Sequence, residues 1–362
     1  MNKKNTTVVI VGAGPTGLTA GVELARRGIQ TKIIDQLDGG SKLSRAIGIN
    51  PRSLDILKPS GVTEKLLEKG IKYDSLTLYN GDKSWVKLPF TIANMKYGFN
   101  IMLGLPQNDT EAILRETFIR LGGVIHFDTE LSEISQTEDG VIAKATNGEE
   151  FHSDYLIGAD GVSSKVRSCV GIELDSVKLP GVWSIADVEV EGWSHITSTT
   201  ICLLKKGKIA GILPLGATRF RVVSNTKETL SALPLKFKLL KIHREGQFKI
   251  SLSQAKEYSK GRVFLAGDSA HTHSPVGGRG MNLGIANADD LARRIAGEAP
   301  LSEYSQKRYE EDTHIIKGTE DMRKLLTSSS PTQRLLMLSA LKIISVVPFF
   351  KRKWANKFLY AE

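Results

Sequence analysis

Cysteine is scarce in this sequence. Cys169 and Cys202 are the only two in 362 residues. That is too few for a disulfide scaffold or a cysteine-built zinc site, and it suits a reducing compartment. An apolar run of membrane-spanning length is also missing. The nearest candidate, Leu335 to Phe350, is interrupted by Lys342 and Pro348. The N-terminus, MNKKNTTVVIVGAG, is basic and then briefly apolar. Glycines end that run before it reaches the length of a signal peptide, and no cleavage site follows. A cytoplasmic protein is therefore expected. Internal repeats, low-complexity segments and recognised nucleic-acid motifs are all lacking. The net charge is +10, yet most lysines are interleaved with acids, and the one dense basic cluster is Lys351-Arg352-Lys353. No nucleic-acid partner is expected.

What remains is ordinary globular material, 41% hydrophobic and 24% charged, with enough length for two domains or one large α/β domain carrying an insert. Thr7 to Val11 is a β-branched run suited to a buried parallel strand. A glycine turn follows from Gly12 to Gly17. Leu18 to Arg27 reads as a helix capped by Gly28, and Thr31 to Ile34 as a second strand ending in Asp35. Together these form a βαβ unit. Further along, the spacing predicts a helix over Thr110–Arg120, a strand near Val124–Phe127 and a hairpin from Leu131–Ser135 and Val141–Ala145. Short strands are expected at Asp154–Ile157 and Gly261–Ala266. From about Asp187 to Val223 the texture changes to alternating strands of an antiparallel sheet, and the last sixty residues read as helices.

Gly12, Gly14 and Gly17 spell G-x-G-x-x-G, with Pro15 and Thr16 inside the turn. The first glycine permits the tight turn, the second lets backbone approach a pyrophosphate, and the third lets helix and strand pack closely. The helix N-terminus then offers free N–H groups to phosphate. Asp35, about twenty residues on, is placed to accept from ribose hydroxyls. This fingerprint alone does not choose between NAD and FAD.

Two further segments bear on that choice: DYLIGADGVSSKVR, with Asp160, Ser164 and Arg167, and GDSAHTHSPVGGRGMN, from Gly267 to Asn282. With the N-terminal glycines, they make the sequence resemble the class A (single-component) FAD-dependent aromatic hydroxylases. That family carries the glycine fingerprint, an internal D-G-x-x-S-x-x-R segment and a late G-D-x-x-H segment in the same order. SRAIGINPRSLDIL and LGLPQNDTEAIL add lesser matches, supplying Arg45 and Gln107. The resemblance spans about residues 7 to 330. It implies an α/β fold: a Rossmann-like FAD-binding domain (1–72, 98–175 and 260–330), an inserted antiparallel β-sheet substrate domain (73–97 and 176–259) and a C-terminal helical segment (331–362).

By the same resemblance Gly267 and Asp268 approach the ribityl chain, and Pro275 lies on the ring-system side. Gly278, Gly280, Met281 and Asn282 present backbone to the flavin, and Asp160 lies near the pyrophosphate, braced against Arg167. FAD is the implied cofactor and NAD(P)H the co-substrate. O₂ and a small organic molecule are the other partners, the organic one aromatic, phenolic or polyketide-like and hydroxylated through a flavin C4a-hydroperoxide. A reductase or dehydrogenase of the same fold, acting on an isoprenoid or quinone-like substrate, is the alternative. No side-chain nucleophile is required, because the flavin carries the chemistry.

Several residues admit more than one reading. His271 and His273 form an H-x-H pair with Asp268 nearby, but no third histidine or cysteine is close in sequence. A structural role in the loop is favoured over metal binding or acid–base work. Arg279 stands where the family often has glutamine; it faces the flavin, an anionic substrate or solvent. Asn287 stands where an acidic residue is common, and packing or capping is expected of it. Trp183, Phe220 and Arg221 are candidate lining residues of a substrate pocket. The apolar tail with its basic end reads as a helix pair over the flavin domain, or as a lid or peripheral membrane contact.

Overall fold

The computed structural model describes residues 6–39, 46–235 and 237–360. Its organising element is a six-stranded sheet in the order Ser259–Lys260, Val263–Leu265, Tyr155–Gly158, Thr7–Val11, Gln30–Ile34, Val124–His126. All neighbours run parallel except the terminal hairpin of Ser259–Lys260 with Val263–Leu265. The strand Thr7–Val11 is β-branched throughout and almost wholly buried, as a strand covered by helices on both faces requires.

Helix α1 (Pro15–Ala25) follows that strand. It starts three residues before the position the sequence pattern suggests. Pro15 occupies the first turn, where its fixed φ suits the helix and its missing N–H costs nothing. Gly17 therefore lies inside the helix. The next helices are α2 (Pro51–Leu57), α3 (Val62–Lys69), α4 (Gln107–Arg120) and the short α5 (Lys165–Cys169). The last four are α6 (Gly280–Ile295), α7 (Tyr304–Leu326), α8 (Pro331–Val346) and α9 (Pro348–Tyr360). Helices α1 and α4 meet closely at Gly21, where a Cβ would lie 2.9 Å from the Phe118 ring. The main core is built from Val9, Ile10, Leu18, Ile33, Phe118 and Ile285, all essentially solvent-free.

A second, seven-stranded sheet runs Lys238–Phe248, Trp183–Glu191, Arg219–Ser224, Ile209–Pro214, Ser198–Leu203, Ser75–Asn80, Lys83–Pro89. It is not purely antiparallel as expected: Ser198–Leu203 and Ser75–Asn80 pair in parallel. The cause is topological, since these two strands come from segments more than a hundred residues apart and no hairpin dictates their direction. One face of this sheet packs a closed apolar cluster of Ala186, Val188, Val190, Ile212, Phe220 and Val222. The other face meets α8 and α9 through Met337, Leu338, Ala355 and Leu359.

Candidate active site

The glycine turn and the late loop meet at Thr16. A Cβ on Gly267 would lie 2.4 Å from Thr16 Oγ1, and a Cβ on Gly284 would lie 2.2 Å from the same atom. The Thr16 side chain thus fills the space that these two missing side chains leave, joining the start of α1 to the Gly267 turn and to α6. Gly267 has φ +65°, a left-handed conformation in which glycine carries no Cβ penalty. Residues 251 positions apart in sequence therefore share one groove.

The three fingerprint glycines have different environments. At Gly12, with φ +108°, a Cβ would lie 2.3 Å from the Ala159 carbonyl oxygen. At Gly17 it would lie 1.9 Å from the Gly12 carbonyl oxygen. At Gly14 it would meet no protein atom within 4 Å. So Gly12 and Gly17 allow backbone to pack on backbone, while Gly14 faces open space at the start of α1. No side chain caps α1 at Gly14 or α6 at Arg279. Two helix N-termini therefore keep donor groups and partial positive charge available in the groove.

The carboxylates around the groove differ. Asp35 Oδ2 accepts from the Ala13 amide at 2.5 Å and Oδ1 from the Leu37 amide at 2.8 Å, so it also braces the turn. Asp160 Oδ2 accepts from the Val166 amide at 3.0 Å, while its Oδ1 is buried with no partner among the described residues. Burial holds the Asp160 carboxyl above its ordinary range, against the hydrogen bonds from Ser164 and Val166. Arg167 attracts Asp160 by charge but makes no hydrogen bond to it. Its guanidinium donates to the carbonyls of Ser269 at 2.8 Å and Val162 at 3.1 Å, pinning the Gly267–Ser269 turn from below. Asp268, on that turn, projects outward and is exposed.

On the late loop, Pro275 and Gly278 are exposed, Gly280 and Met281 form the first turn of α6, and Gly278 has φ +63°. Asn282 spends its side chain on protein. Its Oδ1 accepts from the Asn50 amide (2.8 Å) and Ser53 Oγ (2.9 Å), and its Nδ2 donates to the carbonyls of Gly48 (2.8 Å) and Gly278 (3.0 Å). It locks α6 to the start of α2, which leaves its main-chain amide for any ligand. Gln107 works similarly, accepting from the Ala46 amide at 3.1 Å and donating to Glu111 at 2.8 Å. Arg45 lies outside the described residues.

The three pocket candidates separate. Trp183 belongs to one buried cluster with Val276, Met337 and Leu338, which brings the sheet, the late loop and α8 together. Arg221 is on the same sheet face as Trp183, one residue out of phase with the closed cluster, and binds Asp187 bidentately at 2.6 and 2.8 Å with both side chains buried. Phe220 points to the opposite face, in the closed cluster, because side chains alternate along a strand.

The family model described as "FAD binding domain" matches residues 5–238 and 224–315. The chain belongs to the class A FAD-dependent monooxygenases. Among curated relatives, it is 30% identical to rifampicin monooxygenase of Streptomyces venezuelae over 92% of this chain and 74% of that protein. It is also 30% identical to pentachlorophenol 4-monooxygenase of Sphingobium chlorophenolicum over 88% of this chain. It spans 64% of that second protein's length. The crystal structure of p-nitrophenol 4-monooxygenase from Pseudomonas putida superimposes with a TM-score of 0.86, covering 98% of both chains at 21% identity.

The monooxygenase also carries a site-supporting network that its motifs do not reveal. Asn287 Oδ1 accepts from the Gly267 amide at 3.1 Å and from His271 Nε2 at 2.7 Å. Its Nδ2 donates to Asp312 at 3.1 Å, and Arg308 donates to Asp312 at 2.8 Å. All four side chains are essentially solvent-free. Asn287 is thus the hub tying the Asp268 turn to α7, more than the cap or packing residue expected. The hints in the sequence were a polar residue on an otherwise apolar helix face and its place where an acidic residue is common. His273 donates from Nδ1 to the Ser274 carbonyl at 2.7 Å, and burial first, then the neighbouring His271, push its pKa down. Both histidines brace the loop. Arg279 reaches the Phe358 carbonyl at 3.1 Å, fastening α9 to the late loop. The three readings its position allowed did not include this partner.

Proposed function

We propose that the enzyme inserts one atom of O₂ into an aromatic, phenolic or polyketide-like small molecule, with NAD(P)H as reductant. The observation that carries the reading is the Thr16 junction. It makes one groove of the glycine turn, the Asp268 turn and the N-terminus of α6, with the Trp183–Val276 cluster beside its late end. The residues fit FAD: Gly14 leaves open the space a pyrophosphate needs, Asp160 keeps an unpartnered buried oxygen, and Asp268 projects a free carboxylate.

In this reading the amides of Thr16 and Gly17 hold the pyrophosphate, with Asp160 beside it and Asp35 on the adenosine side. Asp268 accepts from the ribityl hydroxyls. The first-turn amides of Gly280, Met281 and Asn282 face the ring, where a helix N-terminus stabilises negative charge by about 0.3–1 kcal/mol. FAD, when bound, supplies hydride acceptance and oxygen activation. The chain's own work is to orient the organic substrate against Trp183 and to keep water out, with α8 and α9 as the roof. The parts played by these residues and the domain boundaries given above belong to the proposal, as does a cytoplasmic setting, which the free Cys169 and Cys202 suit.

The test is a panel of phenols and polyketide aromatics, with NAD(P)H oxidation, O₂ uptake and product mass followed together. A product heavier by one oxygen, with O₂ consumed, is expected. Substrate-dependent NAD(P)H oxidation that proceeds undiminished without O₂ would instead establish a reductase.

A further inference from the structure

The basic charge of this protein is concentrated at its end. Residues 322–362 carry eight lysines and arginines against the single acid Glu362, a net +7 of the chain's +10. The segment covers the end of α7, where Arg323 and Lys324 pair with Glu320, and then α8 and α9, which carry the other six cations and no acid. Its two helices are amphipathic in an unusual sense, because both faces are apolar. The inner face buries Met337, Leu338, Ala355 and Leu359 against the seven-stranded sheet. The outer face exposes Leu335, Leu336, Ile343, Val346, Phe349 and Phe350, each between 45% and 70% accessible. Leu336, Ile343 and Val346 recur at helical spacing, and the paired rings of Phe349 and Phe350 (centroids 5.5 Å apart) continue the strip across the bend. Lys342, Arg352, Lys353 and Lys357 are exposed around it. No described helix is long and apolar enough to cross a membrane, and α8 and α9 meet at 107°.

We propose that the outer face of α8 and the start of α9 docks in the plane of an anionic phospholipid surface. Charge decides between occupants. A second copy of this chain would bring the same cationic rim against itself. A nucleic acid would neutralise the rim but leave six apolar side chains in water. An anionic bilayer takes both, apolar residues into the acyl boundary and cations at the headgroups. On the inner face of α8, Met337 and Leu338 share a buried cluster with Trp183 and Val276, so the docked face of α8 lies outside the late end of the groove. The inference rests on these helices alone and does not depend on the oxygenation reading.

Vesicle sedimentation with the full-length, FAD-loaded protein tests it. Mixed phosphatidylglycerol–phosphatidylcholine vesicles should pellet the protein, at least about tenfold more than pure phosphatidylcholine, and added salt should release it. Phe349→Ser with Phe350→Ser, and separately Lys351→Gln with Arg352→Gln and Lys353→Gln, should each cut partitioning about tenfold. Flavin absorbance and the unfolding midpoint report whether a variant folds, and the single change Leu336→Gln keeps the test if the multiple variants do not. The proposal is overturned by equal pelleting with both vesicle types, by no pelleting, or by variants that pellet like the parent. A concentration-dependent dimer abolished by Phe349→Ser would also overturn it, assigning the face to a second copy.

Discussion

Replacing Gly14 by valine isolates the groove from the fold. Its backbone, at φ −75° and ψ −178°, is open to any L-residue, and an added Cβ meets no protein atom within 4 Å. The folded chain therefore loses about 1 kcal/mol at most, from a poorer helix cap. The side chain instead occupies the space that the proposed function gives to a pyrophosphate approaching the α1 amides. Charge-assisted hydrogen bonds of that kind contribute ~1.5–3 kcal/mol each, so losing one weakens binding roughly ten- to hundredfold. Gly17→Ala behaves oppositely. Its Cβ would sit 1.9 Å from the Gly12 carbonyl oxygen, and forcing strand and helix apart costs about 3 kcal/mol or more. The assay is paired: flavin content of the purified protein by absorbance, and thermal unfolding of the FAD-stripped form. Gly14→Val should be colourless with a near-parental midpoint, and Gly17→Ala should lose both. A yellow, fully loaded Gly14→Val protein would refute the assignment of that space to the cofactor. A Gly14→Val midpoint as low as that of Gly17→Ala would refute the separation of roles.

Other expectations concern the groups around the site. Asn287→Leu strands the Gly267 amide and His271 Nε2 in a dry interior and leaves Asp312 to Arg308, and should lower stability by about 2–4 kcal/mol; calorimetry checks this, and flavin retention should fall with it because the Asp268 turn loses its anchor. Asp289 is pushed up to about 6, by burial first and by Glu23 second. Its folded value lies above its unfolded one, so its contribution is present at low pH and is lost as pH rises from about 4 through 6. Asp289→Asn should therefore melt higher than the parent above pH 6, with the gap closing below pH 4; a parent that is the more stable at pH 7 would contradict this.

Local chemistry was legible wherever one residue type answers one local demand. Gly12 at φ +108°, Gly28 at φ +77° and the β-branched Thr7–Val11 stand where the pattern places them. In the D-G-x-x-S-x-x-R segment the serine meets such a demand, Ser164 Oγ capping α5 by accepting from the Arg167 amide at 2.9 Å. Direction was not legible. The guanidinium of Arg167 turns to Ser269 and not to Asp160, and that of Arg279 turns to Phe358. A long side chain has several partners within reach, and which is nearest depends on elements far away in the chain.

By itself, then, the order of residues specified the βαβ unit, the glycine turn, the family and the two segments able to hold a dinucleotide, because each depends on backbone conformation within a few neighbouring positions. Only the tertiary structure decided that Thr16 is the joint between Gly267 and Gly284, that Asn287 and Asp312 hold the Asp268 turn, and that Trp183 and Phe220 lie on opposite faces of one sheet. These are contacts between segments tens to hundreds of residues apart. Their geometry is set by how sheets and helices pack, which no local pattern encodes.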